Sequence, residues 1–577
     1  MMNRIFRGIQ EFTGGILSLL RTTKPLQSRR TAIPAILVLG VWLAAVVFTE
    51  TRHEFWRDEV RALSLARAAD SPLALYQTVQ YDGHPLVWYL ILYIGKSIVN
   101  TPLVLPIASM GIGFAAVAIF LLFAPMPLWF KGMFIFSAFP FYEYSVMARN
   151  YGITMLLLFV IAWVYRNRDR RGWLLALLIA LLANTNAHSL IFAGLITAMW
   201  AWDVMTGRRA ELTIRKVLSL GFFLLIIVGG MGFSILCCMP RENTILTDVR
   251  DTLSWNTLFA AVWQSALHPE ISFYQIMPDW VPSWMVAILF FLAILGLIKS
   301  PVLFLSALLS EIGLGVIFRL VYVGYYRHQG LFLIFVVFLY WIFLEFRRRE
   351  KTLDICEGFF RIGFFLALPL ILFSGILQMR GTAWRDIRME LSSSKALGEF
   401  LNSNPVYRNA ILLPEPDYII ESVAYYADND IYLPREKRFS KTVSWTTDSA
   451  PTLSLEELMA AARDLNHRYQ KPVMIILGHF DLDLSKPGEK QYSYNKIFTW
   501  DANSSEDFRK NTEFLAEFKN SLDEDEKYQV YALRDVSAGL KESLQAIAYP
   551  YAYRGELAWT APWCFLMPKC APFPSNA

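Results

Sequence analysis

In the first two thirds of the chain, apolar residues run unbroken for long stretches; in the last third they come in short bursts between polar segments. The long runs predict transmembrane helices at about 32–49, 102–124, 127–141, 151–165, 172–187, 189–205, 217–239, 283–299, 301–323, 330–346 and 357–378. Crossing the hydrocarbon takes about 20 apolar residues, so these make eleven spans, the third of them short. A further apolar stretch, 85–98, has about 14 residues, which suits a helix lying in the interface better than one crossing it.

Positive charge fixes the parity. With a cytoplasmic N-terminus and 85–98 not crossing, the inner loops hold Lys131, the cluster Arg166, Arg168, Arg170 and Arg171, then Arg208, Arg209, Arg215 and Lys216, Lys299, and Arg347, Arg348, Arg349 and Lys351. The short outer loops keep Arg149, Arg241, Arg250 and Arg327. Were 85–98 a span, two of the largest basic clusters would fall outside. The first apolar run lacks a small-residue cleavage pattern and follows a basic stretch with Arg4, Arg7, Arg21 and Lys24. It is read as a retained span rather than a removed signal.

The polar third reads as a soluble α/β domain. Short apolar runs at 409–414, 472–479 and 528–533 predict strands, and helical patterns lie at about 417–427, 453–468 and 505–521. Ser454 and Glu457 form a capping-box signature before the second of these helices. This gives a polytopic α-helical membrane domain over 1–379 and an extracytoplasmic α/β domain over 380–577.

Composition narrows the class. The chain has 577 residues, 55% hydrophobic and 18% charged, against roughly 25% charged in soluble domains. A cytosolic enzyme, a disordered chain and a disulfide scaffold are excluded. Residues 380–577 carry a net charge of −5 and the remainder +10. The total is thus a basic membrane domain plus an acidic soluble one, with no signal for nucleic acid. The cysteines have no metal-type spacing; Cys564 and Cys570 can pair if their compartment is oxidising, or stay free.

Under this topology all five histidines of the membrane half, His53, His84, His188, His268 and His328, fall on the outer side. So do the segments richest in mixed polar groups: 52–61, 81–85, 142–150, 184–189 and 325–329. Inner loops are merely basic, whereas these combine acids, imidazoles, amides and aromatics, as the rim of one cavity would. The stretch 55–70 predicts an amphipathic interfacial helix, with Arg57, Arg61 and Arg67 away from its apolar side. Asp58 and Glu59 are adjacent, so only one faces a cavity. Asp82 and His84 flank Gly83 at a turn before the second interfacial helix; Asp82 or Gly83 can cap it.

Trp56, Asp58 and Glu59, followed some 25 residues on by Tyr81, Asp82, Gly83, His84, Pro85, Trp88 and Tyr89, resemble the polytopic GT-C glycosyltransferases. More narrowly, the pattern resembles the bacterial membrane proteins related to protein mannosyltransferases (glycosyltransferase family 39-like) and to lipid A aminoarabinose transferase. The resemblance covers about residues 32–350. It implies about eleven transmembrane helices, interfacial helices in the first outer loop, and an essential acid in that loop, here Asp58 with Glu59 beside it. Relatives carry a Ser-Gln-Glu-Ala-Arg-x-Tyr pattern in the second outer loop. This chain keeps Ser145, Ala148, Arg149 and Tyr151 but has Met147 in place of the acid. Glu143 is the nearest acid and shares a face with 147 if the segment is helical. Arg327 matches a cation that contacts donor phosphate, with His328 beside it. Asn184 to His188 reads as a sugar-binding turn.

The resemblance implies sugar transfer from a polyprenyl-phosphate donor to a lipid, glycan or protein acceptor at the outer face of the inner (plasma) membrane, with inversion. Asp58 would be the general base; Arg149, Arg327 and His84 would steady the leaving phosphate. A divalent metal held by Asp58, Glu59 or Glu143 stays open, and no other cofactor is indicated. Two other readings compete: a transporter or flippase of lipid-linked saccharides, for which Glu311 and Arg319 are the in-span charges, and a non-catalytic envelope assembly protein.

Overall fold

The computed structural model describes residues 29–206, 214–239, 243–244, 254–346, 355–478, 485–522 and 524–534. Arg4, Arg7, Arg21, Lys24, Arg208, Arg209, Arg241, Arg250, Arg347, Arg348, Arg349, Lys351, Cys564 and Cys570 lie outside the described residues. The chain is a multi-pass membrane protein with a C-terminal domain built on small sheets. Seven described helices are long and apolar enough to cross a bilayer.

Helix α1 (Arg29–Glu50) leads into three short helices, α2 (Arg57–Ala68), α3 (Pro72–Val79) and α4 (Val87–Ile98). Helices are present as expected at 55–70 and 85–98, as α2 and α4; the sequence reading did not anticipate α3. At 12 residues α4 spans about 18 Å, well under the ~30 Å of hydrocarbon. The three bury a cluster of their own, with Val60, Leu63, Leu75, Trp88 and Leu92 against Val104 and Ile153.

The bundle continues with α5 (Val104–Phe123), α6 (Leu128–Ile135), α7 (Tyr151–Tyr165), α8 (Gly172–Ala183), α9 (Ser189–Thr206) and α10 (Ile214–Cys238). A further unanticipated helix, α11 (Trp255–Leu267), precedes α12 (Ser283–Leu295), α13 (Pro301–Leu320), α14 (Tyr326–Phe346), α15 (Ile355–Ile362) and α16 (Leu368–Arg388). Each of the eleven predicted stretches is thus wholly or largely helical. The stretch at 127–141 is broken: α6 stops at Ile135 and a π-helical turn occupies Phe139–Glu143.

Helix α14 is the axis. It is buried without interruption from His328 to Phe343, as expected of a helix apolar all round. Two tight approaches hold its neighbours. A side chain on Gly330 would meet the Phe139 ring at 2.2 Å, and one on Gly363 would meet the Leu292 carbonyl at 2.6 Å, the small-residue contacts that let membrane helices approach closely. Helices α7 and α14 run side by side. Tyr151 at the start of α7 bonds His328 at the start of α14 (2.7 Å), and Arg166 just past the end of α7 pairs with Glu345 near the end of α14 (3.6 Å). The polar end and the basic end are therefore about 22 Å apart, the length of α7.

In the C-terminal domain, after α17 (Ser394–Asn402), the strands are β1 (Ile411–Glu415), β2 (Tyr432–Leu433), β3 (Arg438–Phe439), β4 (Thr452–Ser454), β5 (Val473–Gly478), β6 (Gly488–Tyr492), β7 (Lys496–Trp500), β8 (Thr512–Phe518) and β9 (Tyr528–Leu533). The main sheet has the order β1-β5-β9-β8, with only β1 and β5 parallel. Its central strand β5 is apolar throughout because both faces are covered. Leu412, Met474, Ile476 and Val530 face one cluster; Ile411, Leu413, Val473, Ile475 and Leu477 face another with α18 (Leu455–Tyr469). The capping box forms as expected, Ser454 Oγ accepting from the Glu457 amide at 3.1 Å.

Three expectations are corrected. The stretch 505–521 is helical only as the end of α19 (Ala502–Asn511), because Thr512 begins an alternating run that joins the sheet as β8. The stretch 417–427 holds two short 3-10 turns instead of one helix. And α16 passes straight through position 380 to Arg388, so the membrane helix extends into the second predicted domain.

Candidate functional site

Helix α2 carries the centre of the site on its first turn. Asp58 and Glu59 diverge as adjacency requires. Asp58 faces a cavity of about 280 Å³; Glu59 is fully buried on the other side. The Asp58 carboxylate forms an ion pair with Arg149 at 2.6 Å, and Arg57 lies 3.6 Å away. Burial would raise the Asp58 pKa, but Arg149, Arg57 and Arg327 together hold it below the usual carboxylate range. Arg327 reaches this group from the start of α14 and stacks on Trp56, its guanidinium carbon 4.9 Å from the ring centre.

Glu59, expected beside Asp58 in the reaction, is instead a structural tie. It accepts from the Trp56 amide at 3.3 Å, as a capping residue does, and from the Ala148 amide at 2.6 Å, and it meets His53 Nε2 at 3.0 Å. Asp386 of α16 meets the other ring nitrogen at 2.8 Å. Burial pulls the His53 pKa down, but the two carboxylates outweigh it and hold it well above 6.5. One imidazolium thus ties the segment after α1 to α16, and the Glu59 hydrogen bond anchors Ala148, the residue before Arg149.

Asp82 lies in the cavity wall. It does not cap α4, whose N-terminus at Leu86 has no side-chain cap. Gly83 is left-handed (φ 67°) and turns the chain so that Asp82 points back to Arg61 (2.6 Å) and receives the Tyr89 hydroxyl. His84 also lines the cavity; burial, aided by Arg149 and Arg61 and opposed by Asp82 and Asp58, lowers its pKa, so the ring is neutral at pH 7.

Arg57 and Arg61 were expected on the solvated side of an interfacial helix. They are covered by the C-terminal domain. Arg61 pairs with Glu421 at 2.5 Å and donates to the Val443 carbonyl at 3.1 Å; the Arg57 amide donates to Glu526 at 2.6 Å. Trp445 and Tyr494 of that domain complete the cavity wall. The sequence reading missed all of these partners because no local motif marks them.

The remaining candidates divide. Glu143 does not line the cavity. The chain leaves helix at Tyr144, and residues 144–150 form turns, so the alignment of 143 with 147 on one helical face is not made. Burial lifts the Glu143 pKa to about 7, although Arg327 opposes it. Tyr151, His188 and His328 form a buried cluster at the head of α14. The Tyr325 amide donates to His328 Nδ1 at 3.0 Å, so a neutral ring carries its proton on Nε2 and donates to the Tyr151 hydroxyl. His188 stacks on His328 with centroids 5.2 Å apart, bonds Tyr322, and is pushed down to about 3 by burial. These groups support the site from behind rather than line it.

The acids do not fit a metal site. Asp58 is engaged by arginine, Glu59 by His53 and a backbone amide, and Glu143 lies apart. Among the described residues no group of three or more His, Cys, Asp or Glu side chains is arranged to hold a metal ion. What the cavity offers is one exposed carboxylate edge, three guanidinium groups in its wall, a neutral imidazole and an aromatic wall. That set can bind an anion and take up a proton. No family model matches the chain, and no curated protein matches it either.

Proposed function

We propose that this is a membrane glycosyltransferase of GT-C type. It moves a sugar from a polyprenyl-phosphate donor to an acceptor at the extracytoplasmic face, in a bundle of eleven spans in the plasma membrane. The C-terminal domain then lies outside, in the periplasm of a Gram-negative cell. The carrying observation is the Asp58–Arg149 pair at the edge of a cavity that Arg57, Arg61 and His84 also line.

The pair explains how a weakly basic carboxylate becomes a base when needed. Held by Arg149 and flanked by Arg57 and Arg327, Asp58 has little affinity for a proton. A donor phosphate competes for Arg149 and Arg327, to which it binds bidentately. As those cations turn to the phosphate, Asp58 loses its compensation, its pKa rises, and it accepts the proton of an acceptor hydroxyl. The hydroxyl oxygen bonds to the anomeric carbon as the bond from that carbon to the phosphate oxygen breaks. Polyprenyl phosphate leaves as an anion on the arginines, and the configuration inverts. The placement of the basic residues about a helix length from this end favours the outer side.

The competing transporter reading draws on Glu311 and Arg319, which do not pair with each other; Arg319 bonds Gln264 at 3.0 Å. The test is sugar transfer by purified Asp58→Asn protein in lipid. Turnover falls by roughly 10²–10⁴-fold if Asp58 is the base. Wild-type turnover rules the assignment out.

A further inference from the structure

Two aromatic side chains in the cavity wall sit on backbone that aromatic residues rarely adopt. Trp445 has φ 47° and Tyr494 has φ 61°, both left-handed. Side chains with a Cβ are penalised there, bulky ones especially. Tyr494 lies in the tight turn between β6 and β7, just past the closing pair of Tyr492 with Lys496 and next to Asn495, also left-handed at φ 55°. Hairpin turns of this kind normally take Asn and Gly. Two separate loops thus hold an aromatic residue where glycine would be easier, and both rings reach the same cavity. Backbone held this way is a pointer to function.

The rings are in contact, their planes tilted by 54°. Their centroids are 4.4 Å apart, and Tyr418 backs them 5.6 Å from Tyr494. Arg61 lies over Trp445 at 5.5 Å and Arg57 over Tyr494 at 5.9 Å. The opposite wall is polar, with Asp58, Asp82, His84 and Arg149. A space with an aromatic wall facing hydrogen-bonding groups matches a ring with one apolar face and a hydroxyl rim. A pyranose is such a ring: its C–H bonds carry partial positive charge toward the negative face of an aromatic, while its hydroxyls reach carboxylate and guanidinium. A polyprenyl chain would leave the charges desolvated and unpaired, and inorganic phosphate would gain nothing from the rings.

We propose that Trp445 and Tyr494 form the acceptor subsite, taking the C–H face of a sugar ring, so that the acceptor is a saccharide and the C-terminal domain selects it. This rests on the transferase reading above. It assigns that domain a part in substrate recognition: its rings hold the acceptor against Asp58 without touching the reacting bond.

The experiment is saturation-transfer NMR on the full-length protein in nanodiscs, with methyl hexopyranosides and a Ser/Thr-containing peptide as probes. Ring C–H protons of at least one pyranoside should be saturated by the wild type. The signal should fall about five-fold or more in Trp445→Ala and in Tyr494→Gly, and survive in Tyr494→Phe. Glycine suits the left-handed turn, so Tyr494→Gly removes the ring without stressing the backbone. A pyranoside signal unchanged in both ring-deleted variants overturns the subsite. So does a peptide signal that depends on Trp445 in its place. The binding readout needs no turnover: wild-type transfer by Asp58→Asn would sink the Asp58 assignment while ring-dependent pyranoside binding stood.

Discussion

Asp58 and Glu59 are neighbours in sequence and meet opposite environments, because a helix turns successive side chains by about 100°. That they diverge was legible from adjacency alone. Which one faced the cavity was set by His53 and the Ala148 amide, partners 6 and 89 positions away. Arg61 makes the same point more sharply. Its place on the polar side of α2 reads as solvated, yet it joins Asp82, Glu421 and a backbone carbonyl in one buried cluster. Removing it strands two carboxylates. Arg61→Ala should lower stability by about 3–5 kcal/mol, the cost of breaking a buried pair, while the double change Asp82→Asn with Glu421→Gln in the Arg61→Ala background should recover part of it. Denaturation of the protein in mild detergent measures both; an Arg61→Ala midpoint equal to wild type contradicts the cluster.

At the scale of elements, hydropathy located the helices because each long apolar run has a single low-energy conformation in lipid. It did not locate the break after α6, where Phe139–Glu143 widens into a π turn and 144–150 leave helix. Nothing in apolar periodicity marks such a break; the loop is held by Ser109 of α5, which donates to the Met147 carbonyl, and by Glu59 of α2, which accepts from the Ala148 amide. This loop carries Arg149, and Gly152 is the contact that seats it: a Cβ there would lie 2.5 Å from the Tyr144 carbonyl oxygen. Backbone cannot yield as a side chain can. Gly152→Ala should therefore shift Arg149 and cost transfer about 10-fold or more, with expression and helicity kept, which turnover alongside circular dichroism checks. The His53 tie gives a pH signature. His53 has a raised pKa in the fold, so its contribution is complete below its unfolded value near 6.5 and is lost as pH rises through the raised value. The stability gap between wild type and His53→Gln should shrink as pH climbs above about 6.5. A gap that is flat or widens over that range contradicts a charged His53.

For the whole molecule, the sequence divided into membrane and soluble parts because hydrocarbon and water demand different compositions. The strands β1, β5 and β9 were each visible as apolar bursts, and they prove to be neighbours in one sheet. How the two parts meet was not visible. The junction is made of single residues far apart in sequence, such as the Phe55 amide donating to the Tyr426 hydroxyl at 2.7 Å and the Arg57 amide to Glu526. It places the soluble domain over α2, so that Trp445 and Tyr494 close a cavity the membrane helices leave open. The proposed site is therefore a property of the assembled chain, with the donor's cations supplied by the bundle and the acceptor's aromatic wall by the C-terminal domain.

The central claim is that Asp58 and Arg149 act as one unit, the cation released to the donor phosphate so that the carboxylate can take a proton. A double-mutant cycle on initial rates of sugar transfer, using wild type, Asp58→Asn, Arg149→Ala and the double variant in lipid, tests it most directly. The prediction is that each single change costs about 10²-fold or more and that the double variant is no slower than the slower single one. Costs that multiply in the double variant, or an Asp58→Asn rate equal to wild type, would contradict it.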